Sequence, residues 1–117
     1  MKVLVCGGRD YNNKEHVFNV LDRFHEGTKI TTLVHGLAVG VDVLAGQWAE
    51  MHDIPVQEFP ADWDKYGKAA GFIRNQQMLD ESCPEYVIAF PGGVGTKNMV
   101  DLALRAGVSV CSVEGLC

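Results

Sequence analysis

The sequence predicts a three-layer α/β sandwich, a five-stranded parallel sheet with helices on both faces. Two observations carry this. Short apolar runs alternate with longer segments of helical periodicity along the whole chain, which is how a parallel sheet with crossover helices is written in sequence. The 117 residues, 47% of them hydrophobic, contain no repeat, linker or low-complexity segment. That suits one domain over residues 1–117, able to bury about two thirds of its unfolded surface. Right-handed crossovers restrict the topology further.

Residues 2–6, KVLVC, read as the first strand. Residues 14–26 then place Val17, Val20, Leu21 and Phe24 at helical spacing. Residues 30–35, ITTLVH, form the second strand, and residues 41–52 a helix with Val41, Leu44, Ala45, Trp48 and Ala49 on one face. Residues 54–59, IPVQEF, read as the third strand, with Pro55 near its start. Residues 60–66, PADWDKY, lack periodicity and read as a loop. Residues 68–82 are helical, with Phe72, Ile73, Gln76 and Leu79 on one side. Residues 86–90, YVIAF, are the fourth strand; residues 96–106 the next helix, through Met99, Val100, Ala103 and Leu104; and residues 108–113, VSVCSV, the fifth strand.

The net charge of −5 argues against a broad nucleic-acid surface, which needs a basic face, and still permits a local basic pocket. Cys6, Cys83, Cys111 and Cys117 include no Cys-x-x-Cys pair, and no His/Cys spacing suggests zinc, so neither a metal site nor a cofactor is expected. Cys6 and Cys111 read as small hydrophobes within strands, with no base at recognisable spacing. Gly7-Gly8-Arg9-Asp10 interrupts the first apolar run, and no run approaches the roughly 20 residues of a membrane span. The expected compartment is the cytoplasm, with reduced thiols and no membrane partner.

Seven of the 13 glycines (Gly7, Gly8, Gly36, Gly40, Gly92, Gly93 and Gly95) follow strands one, two and four. Open parallel sheets bind ligands beyond the carboxyl ends of their strands, where strand order reverses. In the stretch Pro91-Gly92-Gly93-Val94-Gly95-Thr96, glycines bare the main chain where a helix begins, and a helix N-terminus offers unpaired N–H groups and partial positive charge to an anion. Thr96 adds a hydroxyl there, as N-cap or phosphate donor. Neither the P-loop pattern nor G-x-G-x-x-G is matched. Taken alone, the loop fits a tight turn equally well.

The other two loops add chemistry. Gly7-Gly8-Arg9-Asp10-Tyr11 sets a cation and a ring beside two glycines, suited to a phosphate or carboxylate and to stacking. Arg9 and Asp10 also suit a simple surface pair, and Tyr11 a cover for the sheet edge. His35-Gly36 leads to Gly40-Val41-Asp42, where Asp42 either caps the following helix or accepts bonds from sugar hydroxyls. His35 fits a ligand contact or a satisfied buried imidazole. Arg74 and Asn75 lie on a polar helical stretch; by residue type alone Arg74 reads as a surface arginine, and Asn75 suits a base edge, a sugar or solvent. Trp48 reads as core, whereas Trp63 suits either a lid stacking on a base or a staple for its loop.

The segments VCGGRDY, HGLAVGVDVLAGQWA, FPADWDKYGKAAGFIRNQQML and AFPGGVGTKNM, in this order and spacing, resemble the SLOG superfamily, and in particular its small YspA/cpYpsA-related branch. The resemblance covers nearly the whole chain. It implies a Rossmann-like domain with strand order 3-2-1-4-5, a nucleotide or nucleotide-derived ligand, and a homo-oligomer, since relatives commonly form dimers or larger assemblies. Those relatives include the LOG phosphoribohydrolases and the DNA-uptake protein DprA. Arg74 matches the arginine of the LOG Arg-Lys-x-x-Met run, which makes it the candidate catalytic or ligand-facing residue. Pro91 to Thr96 match P-G-G-x-G-T, but Met99 stands where the LOG enzymes have a catalytic glutamate. Leu37 and Val39 replace the glycine and arginine usual in the small branch.

The expectation that follows is binding of a phosphorylated nucleotide or ADP-ribose-like ligand, as sensor or sequestering protein. Hydrolysis of a nucleoside 5′-monophosphate at its N-glycosidic bond is the alternative, with Asp10, Asp42 or Asp62 as acid by location only. DprA-like single-stranded DNA binding is disfavoured by the acidic charge.

Overall fold

Five short apolar runs pair into one sheet in the order β3-β2-β1-β4-β5, all parallel, in a computed structural model that describes residues 1–113. Residues 114–117, which the sequence reading includes in the domain, lie outside the described residues. The strands are β1 (Lys2–Cys6), β2 (Thr32–His35), β3 (Val56–Glu58), β4 (Tyr86–Ala89) and β5 (Ser109–Ser112). The helices are α1 (Lys14–Gly27), α2 (Val41–Met51), α3 (Trp63–Tyr66), α4 (Ala70–Ser82) and α5 (Val94–Arg105), with a 3₁₀ turn at Gly67–Ala69 before α4.

Successive residues of a strand point to opposite faces, so a sheet covered on both sides has two cores. In β1, Val3 and Val5 enter one core, with Val17 and Leu21 of α1 and Val41, Ala45 and Trp48 of α2. Leu4 and Cys6 enter the other, with Met78 and Leu79 of α4 and Met99 and Ala103 of α5. Burying one such side chain is worth about 1.5–3 kcal/mol, which fixes the register of the central strand on both sides. Trp48 is fully buried, as the helical stripe predicts, and its indole N–H donates to Asp22 Oδ1 at 2.8 Å.

The elements depart from the sequence reading in three places. The 60–66 loop contains a helix: Asp62 Oδ1 accepts the Lys65 N–H at 3.1 Å and starts α3 at Trp63. The helix expected over 96–106 begins two residues earlier, at Val94, because Gly93 takes the cap position; Thr96 is therefore its third residue and not its N-cap. The inward face of α4 is also rotated from the one expected. Phe72 and Ile73 are exposed, and Ala70, Asn75, Met78, Leu79 and Ser82 are buried.

The consequence for the site is positional. Strand order reverses between β1 and β4, so the loops leaving their carboxyl ends diverge toward opposite faces and open a crevice.

Candidate ligand-binding site

A cleft of about 620 Å³ occupies that crevice, within the size range of small-molecule sites. Its walls come from the loops after β1, β2 and β4, the start of α5, and one side of α3–α4.

The three glycine loops do different work there. After β1, a Cβ on Gly7 would press into Val41 and lie 2.9 Å from Phe90 Cβ; one on Gly8 would lie 2.9 Å from the Pro91 carbonyl oxygen. The Gly8 N–H donates to that same carbonyl at 2.9 Å, and Phe90 N–H to the Cys6 carbonyl at 2.9 Å. Gly7 makes room for the side chains of Val41 and Phe90, and Gly8 lets main chain approach main chain, with its own amide engaged by Pro91.

The loop after β2 closes on itself. Asp42 is the second residue of α2, with Gly40 (φ 82°) at the cap position, and is 5% exposed. Its Oδ2 accepts the N–H groups of Gly36 at 3.0 Å and Ala38 at 3.2 Å, while His35 Nδ1 accepts the Leu37 N–H at 2.9 Å. Three successive amides of this loop are thereby engaged inside the molecule. His35 is buried and does not line the cleft; desolvation lowers its pKa, against an opposing pull from Glu58 at 3.9 Å. The expectation of a ligand-facing His35 gives way to a satisfied core imidazole.

The loop after β4 is open. Built Cβ atoms on Gly93 and Gly95 would meet nothing within 4 Å. Helical bonding starts with Lys97 N–H donating to the Gly93 carbonyl at 3.1 Å, so the amides of Val94, Gly95 and Thr96 precede it without helical acceptors. Residues 91–95 are exposed, and Gly93, Val94, Gly95 and Thr96 line the cleft. Gly92 makes room for the Thr96 hydroxyl, which a Cβ at that position would strike. Pro91 contributes its carbonyl to Gly8 and does not line the cleft.

Arg74 faces the cleft from α4 and is half-buried. Its Nη1 donates to the Gly36 carbonyl and, at 3.4 Å, to that of Phe59, while Nε donates to Asn75 Oδ1 at 3.0 Å. Nη2 has no protein acceptor among the described residues and is not sealed from the cavity. Asn75 is 4% exposed, and Nδ2 donates to the Gly95 carbonyl at 3.1 Å and Asn98 Oδ1 at 3.0 Å. Its donors are therefore taken, and in place of a ligand contact it ties α4 to the open loop of α5.

Burial pushes the Asp42 carboxyl up to about 6, even though its two amide bonds and the Arg74 charge favour the ionised form. Burial likewise lowers the Arg74 pKa, against the pull of Asp42, and pushes the Cys6 thiol up, away from thiolate chemistry. Arg9 and Asp10 are exposed on the cleft wall and make no ion pair among the described residues. Tyr11 turns away from the cleft: its hydroxyl meets His16 Nδ1 at 2.5 Å and its ring packs on Phe90, centroids 5.8 Å apart.

The structure thus brings Gly7, Gly8, Arg9, Asp10, Gly36, Asp42, Arg74, Asn75, Gly93, Gly95 and Thr96 to one cleft, and leaves Tyr11, His35, Pro91 and Gly92 off its lining. Sequence reasoning missed Lys68, Phe72 and Val94 on the walls. The signal for Phe72 was an aromatic beside Gly71, two residues before Arg74, read only as one side of the helix with Ile73, Gln76 and Leu79.

Residues 1–66 match the family described as YspA, cpYpsA-related SLOG family. The Gene 61 protein of Mycobacterium phage D29 is 33% identical over 117 residues, covering 93% of each chain. Among solved structures, the C-terminal domain of a hydrogenase from Pyrococcus furiosus superposes with a TM-score of 0.56 at 18% identity, covering 96% of this chain and 90% of that one, a likeness of fold.

Proposed function

The chain belongs to the YspA, cpYpsA-related SLOG family, and from that membership we propose that it binds a nucleotide or nucleotide-derived phosphorylated ligand, ADP-ribose-like in chemistry, as a sensor or sequestering protein. The observation that carries this is the start of α5: among the described residues the amides of Val94, Gly95 and Thr96 have no acceptor and no side chain lies over Gly93 or Gly95, on the wall of the cleft. Arg74 Nη2 and the exposed Arg9 add cationic donors to the same cavity. Three cations (Arg9, Lys68, Arg74) and two carboxylates line the cleft of a chain whose net charge is −5, so the local balance favours an anion more than the molecule as a whole does.

A thermal-unfolding screen with inorganic phosphate, ribose 5-phosphate, the nucleoside 5′-monophosphates and ADP-ribose tests the proposal. A ligand that binds only the folded chain stabilises it by about 2.7 kcal/mol at a hundredfold excess over its Kd, a rise of several degrees. A flat response across all of these compounds would sink it.

One observation favours hydrolysis as a second reading. Asp42 lines the cleft with a carboxyl that holds its proton to about pH 6, the property a general acid needs. Against it, Met99 is buried where the LOG enzymes carry their glutamate. Release of free base from AMP, GMP, CMP or UMP, abolished in Asp42→Asn, is the expected sign of turnover; no release from any of them ends this reading.

A further inference from the structure

We infer that Trp63 and Phe72 form a stacking platform for a planar heteroaromatic ring, so that the cleft takes a ligand with a nucleobase-like group at one end and its phosphate at the other. The inference rests on the phosphorylated-ligand reading and specifies what lies beyond the phosphate.

The two tryptophans are handled in opposite ways. Trp48 is 0% exposed, with its N–H bonded to Asp22. Trp63 is 51% exposed, belongs to neither core, and its N–H has no acceptor among the described residues. A staple for the loop would be buried by what it holds; Trp63 is not. Phe72 is 44% exposed, and both rings line the same cleft as the amides of α5. Exposed large aromatics converging on one cavity mark a binding surface more than a packing remnant.

The platform is also preorganised. Asp62 caps α3 at Trp63, and the 3₁₀ turn Gly67–Ala69 runs directly into α4, so no free loop lies between the indole and Phe72. The far edge of the indole lies over Gly71, next to Phe72: a Cβ built on Gly71 would sit 3.5 Å from Trp63 Cη2. Leu37, Val39 and Val94, all exposed, add apolar surface to the same cleft. The cleft therefore carries both anion-binding groups, the α5 amides with Arg9 and Arg74, and exposed aromatic surface at Trp63 and Phe72. Phosphate or a sugar phosphate would leave the aromatic surface wet, whereas a base stacked on it removes apolar surface from water on both partners.

Isothermal titration of the full chain with ribose 5-phosphate and with AMP, GMP, CMP and UMP separates the two claims. The best nucleotide is expected to bind at least about fivefold more tightly than ribose 5-phosphate. Trp63→Ala and Phe72→Ala should each remove about that factor for the nucleotide and leave ribose 5-phosphate unchanged, while Trp63→Phe keeps most of the affinity. Nucleotide should quench tryptophan emission in the wild type and not in Trp63→Phe, because Trp48 is sealed in the core. Equal affinities for nucleotide and ribose 5-phosphate, or a Trp63→Ala chain that binds nucleotide as before, overturn the stacking platform and leave the phosphate reading intact. Failure of every compound to bind overturns both. A changed sedimentation coefficient in Trp63→Ala with unchanged nucleotide affinity makes the aromatics a contact between copies, and also overturns the platform.

Discussion

Leu37 sits at φ 55°, in the left-handed region, with its side chain 49% exposed above the cleft. Left-handed backbone costs an L-residue about 1–2 kcal/mol, and burial returns little here because the side chain faces water. The loop holds this conformation because its neighbours are fixed: Gly36 and Ala38 donate to Asp42, and Leu37 itself to His35. The family resemblance implies glycine here, a residue that takes this conformation without strain. Leu37→Gly should stabilise the protein by up to about 1 kcal/mol, the relief of strain less the extra chain entropy of glycine, read as a higher urea midpoint. Leu37→Ala keeps the strained φ and should not gain; equal gains from both variants would show that strain is not the cause. At this scale the sequence was legible in kind more than in purpose. Seven glycines at strand ends announced a ligand edge, but only Gly93 and Gly95 stand in open space; Gly7 is set by the side chains of Val41 and Phe90 and Gly8 by the main chain of Pro91, packing that depends on what lies opposite and has no local signature.

The helices show where periodicity misleads. Phe72 and Ile73 assign an apolar face to α4, yet its buried face includes Asn75 and Ser82. Both are satisfied: Ser82 Oγ donates to the Met78 carbonyl at 2.6 Å, and Asn75 holds Gly95, Asn98 and Arg74. A polar residue with all its bonds made is as acceptable inside as an apolar one, and pattern counting has no means of seeing those partners. The positions of α1 and α2 were readable because their buried stripes are mainly apolar, with Asp42 the one charged residue buried on α2. The bonds of Asn75 also couple α4 to the amide-bearing turn of α5. Asn75→Ala removes three hydrogen bonds and leaves the Gly95 carbonyl without its side-chain donor, which should cost about 2–4 kcal/mol in urea unfolding. It should also shrink the melting shift produced by a phosphorylated ligand, because the Gly95 main chain loses its anchor. A stable variant with an unaltered shift would show that the turn holds its shape without α4.

For the molecule as a whole, strand order and the two-sided core followed from alternating elements, handedness and family resemblance. The buried charge beside the switch point did not, because burial is a property of the assembled layers. That charge makes global stability depend on pH in a direction opposite to the usual carboxylate. Asp42 has a folded pKa of about 6, above its ordinary value of 3.8, so between these values the folded chain binds more protons than the unfolded chain. Stability from this group is therefore lowest above about pH 6 and grows as pH falls toward 4, by about 1.4 kcal/mol per unit within the window. His35 acts in the opposite sense: its pKa is lowered by burial, so its contribution is lost as pH falls below its ordinary 6.5. The wild-type profile is thus a sum of opposing slopes, and the difference between wild type and Asp42→Asn isolates the carboxyl. Urea unfolding of both chains at half-unit steps from pH 7.5 to 4.5 should show the wild type gaining on the variant as pH drops through 6, with a constant difference above it. A difference that stays flat across the whole range would mean that Asp42 is solvated in the folded state, and would remove the proton-holding group on which the hydrolytic alternative depends.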